Sequence, residues 1–249
     1  MLKQSPESRT ASSPPATWSK RRAASNYGIR QRVSSGFAEV TVTCCRSTLP
    51  KWSDISTVKV SQGQHFIHPG DIVLDCGASD GDFTRESLKA GAKLVVAIEV
   101  SPTSVECIRR NLVAEAASGR VIVYAKGVWD HDDALTLHVD NSNFAANSVV
   151  MHSLAAHAAG TVPLTTIDRI VEELRLPRVD FIKMDVEGAE VRAIGDANET
   201  LTRFKPRLAI ATEHTPEDER TIPAKVHEVR ADYQDRMRPL PGGEGACKT

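Results

Sequence analysis

Two short acidic segments hold the residues whose types and spacing could do chemistry. The first, Asp75-Cys76-Gly77-Ala78-Ser79-Asp80-Gly81, follows the compact apolar run Ile72-Val73-Leu74. Small residues at Gly77, Ala78 and Ser79 let the backbone approach a ligand closely. A helix starting just after them would present unpaired N–H groups. In a dinucleotide site such groups hold a pyrophosphate. Here Asp75, Asp80 and Asp82 crowd the loop with negative charge, which suits a cationic ligand better. The second segment, Phe181-Ile182-Lys183-Met184-Asp185-Val186-Glu187-Gly188-Ala189-Glu190, puts three acids within six positions at the end of a buried strand. Buried acids are costly unless they are paired or used.

Three further positions extend this reading. Glu99 closes the next apolar strand, 18 positions past Gly81. That is near the spacing of about 20 at which an acid reaches ribose hydroxyls. Taken alone, the first loop also reads as a tight βα turn without a ligand; Glu99 tips the balance towards a site. Gly127-Val128-Trp129-Asp130 follows the third strand and would lie against an adenine ring. Trp129 would wall the ring and Asp130 would accept from its amine. A core tryptophan beside a surface aspartate is the equal alternative. Glu213-His214 ends a later strand. His214 is a candidate general base, because its reference pKa lies near working pH; the plainer alternative is a structural histidine.

The elements that must position these residues alternate. Val40 and Val42, then Val58 and Val60, read as short strands, and His68-Pro69-Gly70-Asp71 as a turn. After the strand Ile72–Leu74 come a helix over Asp82–Ala90 stopped by Gly91, and a buried strand over Leu94–Ile98. Ser101 and Pro102 suit an N-cap and first helical position, with Val105, Ile108 and Leu112 as the apolar face. Val121–Tyr124 and the alternating Leu135–Val139 read as strands. Residues 145–160 give no assignment. Thr165 to Asp168 has capping-box spacing ahead of the stripe Ile167, Ile170, Val171 and Leu174. Val179–Met184 and Leu208–Ala211 complete the strands, with a helix after Gly188 and another over Ile222–Tyr233. Strands alternating with helices imply an α/β fold with a mostly parallel, doubly wound sheet. Ligands of such sheets bind at carboxyl ends where strand order reverses. The strands ending at Asp75 and Asp185 should be neighbours there, with both carboxylates facing one crevice.

Composition narrows the class. Of 249 residues, 31 are Lys or Arg and 32 Asp or Glu, a net charge of −1. That argues against bulk electrostatic binding to nucleic acid or to an anionic membrane. No apolar run reaches the roughly 18–20 residues of a membrane span. The five cysteines show no CxxC spacing, so reduced thiols of a cytoplasmic protein are expected. Residues 1–36, rich in Ser, Pro, Ala and Arg, are expected to be disordered, as is the tail 237–249. The domain is expected over 37–236.

Three segments together resemble the FkbM-type methyltransferase family: Val73–Gly81, Val162-Pro163-Leu164-Thr165-Thr166-Ile167-Asp168, and Asp180–Glu190. The resemblance runs from about Pro69 to His214, and its second and third motifs are the more specific. It implies a Rossmann-like methyltransferase fold with S-adenosyl-L-methionine as methyl donor, whose ammonium and sulfonium agree with an acidic loop. The implied acceptor is a hydroxyl oxygen on a sugar, a lipid-linked glycan or a natural product. By motif, Asp75, Gly77 and Glu99 would bind the cofactor, and Asp185 and Glu187 would sit beside the transfer centre. The proton of the acceptor would go to Asp185, Glu187 or His214; a divalent metal on Asp185, Glu187 and Glu213 is the alternative. Residues 131–160 would meet the acceptor. The family's fold closes with an antiparallel hairpin after the Glu213 strand, and the sequence shows no such pair of strands. Two rivals remain open at this point: an NAD-dependent oxidoreductase using the same loop, and a cofactor-binding protein without turnover.

Overall fold

A computed structural model describes residues 67–139, 147–151, 154 and 156–233, together with the backbone of three earlier strands. Those strands are β1 (Arg30–Ser34), β2 (Phe37–Thr41) and β3 (Thr57–Val60). Strand β1 pairs antiparallel with β2 and lies inside the segment expected to be disordered. The rest of that segment, and the tail 237–249, fall outside the described residues.

The main sheet has six strands in the order β3-β11-β10-β4-β5-β6. Its parallel members are β4 (Ile72–Cys76), β5 (Leu94–Ile98), β6 (Val121–Tyr124), β10 (Phe181–Met184) and β11 (Arg207–Ala211). Every residue of β4 and β10 is buried, Asp75 and Lys183 included, as expected of strands covered on both faces. The chain builds outward from β4 through β5 to β6, then returns to lay β10 and β11 on the other side. The order therefore reverses between β4 and β10, the place where a doubly wound sheet opens a crevice. The outer edge of β11 is taken by β3, running antiparallel. Among the described residues, this earlier strand occupies the edge beside which the closing hairpin was sought.

Side chains alternate across the sheet and so build two cores. One face carries Leu74, Cys76, Ile98, Ile182, Met184 and Ile210. It packs on α4 (Ile167–Glu173), α5 (Glu190–Gly195), α6 (Asn198–Phe204) and α7 (Asp218–Val229). The other face carries Val73, Val95, Ala97 and Phe181 under α1 (Asp82–Lys89) and α2 (Pro102–Asn111). A short helix, α3 (Val113–Ala117), follows α2. A second sheet orders β7 (Gly127–Val128), β9 (His157–Thr165) and β8 (Asp133–Val139). Strand β9 begins within the stretch that local pattern left unassigned; its outer residues 157–161 are exposed, so no apolar alternation marks them.

One local expectation changes. The N-cap of α4 is Thr166, whose hydroxyl accepts from Arg169 N–H at 3.1 Å. Thr165 instead donates to Asp132, and Asp168 accepts from the N–H groups of Glu199 and Thr200 at the start of α6. The box therefore does not form, and the aspartate caps α6 instead of its own helix.

Candidate active site

The loop after β4 turns through three positive-φ residues, Gly77 (φ 78°), Ser79 (φ 52°) and Gly81 (φ 89°). A Cβ built on Gly77 would lie 1.8 Å from the backbone oxygen of Asp185. Glycine is required there because the β4 and β10 tips touch. Beside the expected room for a ligand, this contact between two strands is a second reason for glycine, and Gly77 also lines the cavity. The Gly77 and Ala78 N–H groups both donate to the Ile98 carbonyl at 3.0 Å, which folds the loop towards the tip of β5.

Glu99 faces this loop. Its Oε2 accepts from Ser79 N–H at 2.7 Å and its Oε1 from Ser101 N–H at 2.8 Å. Each oxygen keeps a further lone pair for a ligand hydroxyl. Burial pushes its carboxyl above the ordinary carboxylate value, while the Ser101 and Ser79 N–H groups pull the other way. Asp80 is also raised, first by burial and then by the charge of Asp82. Gly77, Ala78, Ser79 and Glu99 all line a cavity over the sheet.

Asp75 does not line that cavity. It is fully buried beneath α1, its Oδ2 accepting from Thr84 Oγ1 at 2.6 Å and its Oδ1 facing Lys183 Nζ at 3.4 Å. Trp129 and Asp130 are likewise absent from the lining. Trp129 is buried against Leu164 and Ala189, with the Arg192 guanidinium 4.8 Å over its ring. Asp130 pairs with Arg192 at 2.7 Å and with His131. The cause is the pairing of β7 with β9, which turns the chain after Val128 away from the sheet tips. Lys126, Gly127 and Val128 form the wall instead.

Across the cavity, the loop after β10 brings Asp185 and Glu187 to the lining. Glu187 has a left-handed backbone (φ 53°), an uncommon state for a non-glycine residue and one that gathers at functional loops. Glu190, which sequence reading noticed only as part of the acid cluster, holds this turn together. Its buried carboxylate accepts from the N–H groups of Val186 at 2.8 Å and Gly188 at 3.0 Å. Ser148 closes the other side, donating to the Glu187 carbonyl at 2.7 Å. Among the described residues of the 131–160 stretch, Asn147, Ser148 and Val149 reach the cavity.

His214 lies behind these acids. Its Nδ1 is 3.0 Å from Glu190, and its Nε2 is 3.5 Å from Asp185 and 3.6 Å from Glu187. Burial works against its charge, but the carboxylates of Glu187 and Glu190 outweigh that and push it up to about 11. That pairing favours the protonated imidazole, which makes Asp185 and Glu187 the better placed proton acceptors of the three candidates. Asp185, Glu187 and His214 bring ligand atoms within 4.8 Å of one another. Glu213, the third residue expected to hold a metal, is exposed and outside the lining.

Lys183 is the residue that sequence reading missed. It stands opposite Asp75 in the strand register and is 2% exposed, yet it reaches the cavity wall. A lone lysine inside the apolar run Phe181–Met184 was the available signal. Together the structure places Gly77, Ala78, Ser79, Glu99, Asp185 and Glu187 around one space, with His214 behind it and Asp75 beneath it.

Comparison with known proteins agrees with this architecture. A solved structure of Methyltransferase FkbM from Methylobacillus flagellatus KT is similar at 24% identity and a TM-score of 0.50, over 69% of this chain and 40% of that one. The chain thus spans less than half of that relative's length. A putative RNA methyltransferase, PH1948 from Pyrococcus horikoshii, matches at 20% identity and a TM-score of 0.30, over 53% of this chain and 45% of that one. No curated protein matches. The family model for the methyltransferase FkbM domain matches residues 75–237, more than half of the sequence and the stretch that contains both sheet tips, and the chain belongs to that family.

Proposed function

We propose that the protein transfers a methyl group from S-adenosylmethionine to a hydroxyl oxygen of a small acceptor, a sugar, glycolipid or natural product. Membership of a methyltransferase family sets the oxidoreductase reading aside. The observation that carries the cofactor assignment is Glu99, held at the cavity wall by two backbone N–H groups with lone pairs to spare for a ribose diol. The wall also fits the group's charge. Asp80, Asp82, Glu99, Asp185 and Glu187 line it against Lys126 and Lys183. Val100, Val128 and Leu164 add apolar surface for a base.

When bound, the sulfonium supplies a methyl carbon that is already electrophilic, so no covalent enzyme intermediate is needed. The task of the chain is alignment, which in well-oriented systems lowers barriers by roughly 7–11 kcal/mol. The loop after β4 and Glu99 hold the nucleoside side. Asp185 and Glu187 face it from the loop after β10, and one of the two carboxylates takes the proton of the acceptor hydroxyl. His214 keeps its own proton and holds these two carboxylates in place by charge.

Calorimetry with S-adenosylhomocysteine tests the cofactor assignment, and binding is expected. A panel of sugar, glycolipid and natural-product hydroxyls, assayed for methyl transfer, tests the acceptor. Transfer to nitrogen or carbon acceptors alone would overturn the oxygen assignment.

A further inference from the structure

Lys183 is an expensive residue to keep. A buried ion pair costs several kcal/mol of desolvation per ion, and replacement by apolar residues is often neutral or stabilising. The pair Asp75–Lys183 sits in the register of the two central strands, where two apolar side chains would pack well. Its location argues for a use other than stability. From beneath the cavity, Lys183 Nζ donates to the Gly77 carbonyl at 2.6 Å and to the Cys76 carbonyl at 3.3 Å. The same ammonium lies 3.4 Å from Asp75 Oδ1 and 3.8 Å from Asp185 Oδ2. One group thus touches the loop after β4 and the carboxylate that begins the loop after β10.

We propose that Lys183 is a positioning residue: its ammonium ties the Gly77 carbonyl to the Asp185 carboxylate, so that the nucleoside loop and the proton-accepting side are held as one body. This rests on the cofactor reading above. Asp75 has the complementary part. Fixed by Thr84, it cancels the charge of Lys183 from below, so that a cationic ligand above meets little repulsion. Burial opposes the lysine charge, but Asp75 and then Asp185 outweigh it and hold the ammonium above its ordinary value.

The test uses the full chain. Lys183→Met alone leaves Asp75 buried without its counter-charge and is expected to unfold. The neutral pair Asp75→Asn with Lys183→Met removes both charges and keeps an acceptor for Thr84, so it serves as the folded variant. Calorimetry with S-adenosylhomocysteine should show at least a tenfold loss of affinity in that variant at a native thermal midpoint. In the native chain, one slowly exchanging lysine ammonium resonance is expected by NMR. It should vanish in the neutral pair and shift on adding S-adenosylhomocysteine, with the same midpoint as the Gly77 amide. A lysine that merely packs the core would not follow the ligand. Native affinity in the neutral pair, or an ammonium resonance unmoved at saturation, overturns the proposal alone. A native chain that fails to bind S-adenosylhomocysteine overturns the cofactor reading and this proposal with it.

Discussion

The loops after β4 and β10 leave adjacent strands, touch each other, and do opposite things. The first is built from small residues, and it folds by donating backbone N–H groups to the β5 tip and to Glu99. What it offers the cavity is mainly main chain. The second is built from acids. Glu190 and His214 hold it from behind, and it offers the cavity two carboxylate side chains. Both contain one non-glycine residue in the left-handed region, Ser79 and Glu187, at nearly the same φ. Similar backbone geometry therefore serves close approach in one loop and side-chain presentation in the other. Which role a strand-tip loop takes is decided by what backs it.

The comparison breaks most severely at the contact between the loops. Gly77→Val should cost more than about 4 kcal/mol, the range of severe backbone and packing conflicts, because its side chain would enter the Asp185 carbonyl. Denaturant unfolding measures this, and a native midpoint would sink the contact argument. Asp185→Asn should leave the fold within about 1 kcal/mol of native, since Asp185 is half-exposed. Its turnover should fall by roughly two orders of magnitude or more, the usual worth of a positioned proton acceptor. Methyl-transfer kinetics beside a melting curve would decide it, equal activity removing Asp185 from the chemistry.

A finer distinction lies at the nucleoside side. In Glu99→Gln one side-chain atom becomes a donor facing a backbone N–H, a mismatch worth about 1–3 kcal/mol. Affinity for S-adenosylhomocysteine should drop by about tenfold or more, with a smaller change in melting. A drop in melting alone would make Glu99 structural. A separate test concerns pH. His214 is raised in the folded chain, so its stabilising contribution is complete below the unfolded value near 6.5. It is lost as pH rises from there towards about 11. Urea unfolding across that window should show native stability declining. The slope should flatten in His214→Gln, and identical slopes would refute the charged imidazole.

The strands and both acidic loops were legible because short, mainly apolar runs ending in acids have few other uses. Trp129 and Asp130 were not. Their sequence neighbourhood is the same whether the chain stays over the sheet tips or turns to join β9, and that choice is made by residues more than thirty positions away. His214 was visible as a residue but its partners were not, since only the fold brings Glu187 and Glu190 near it. Thr165 and Asp168 failed the box pattern for a similar reason, each being claimed by a residue outside α4.

Strand β3 has a consequence for anyone trimming this protein. The stretch matching the family model begins at residue 75, beyond β3. A fragment begun between β3 and β4 would leave Leu208–Ala211 with a row of backbone donors and acceptors that Thr57–Val60 otherwise satisfies. Such naked edges recruit strands from other molecules. The shortened protein should therefore cluster in solution even though its cavity residues are all retained.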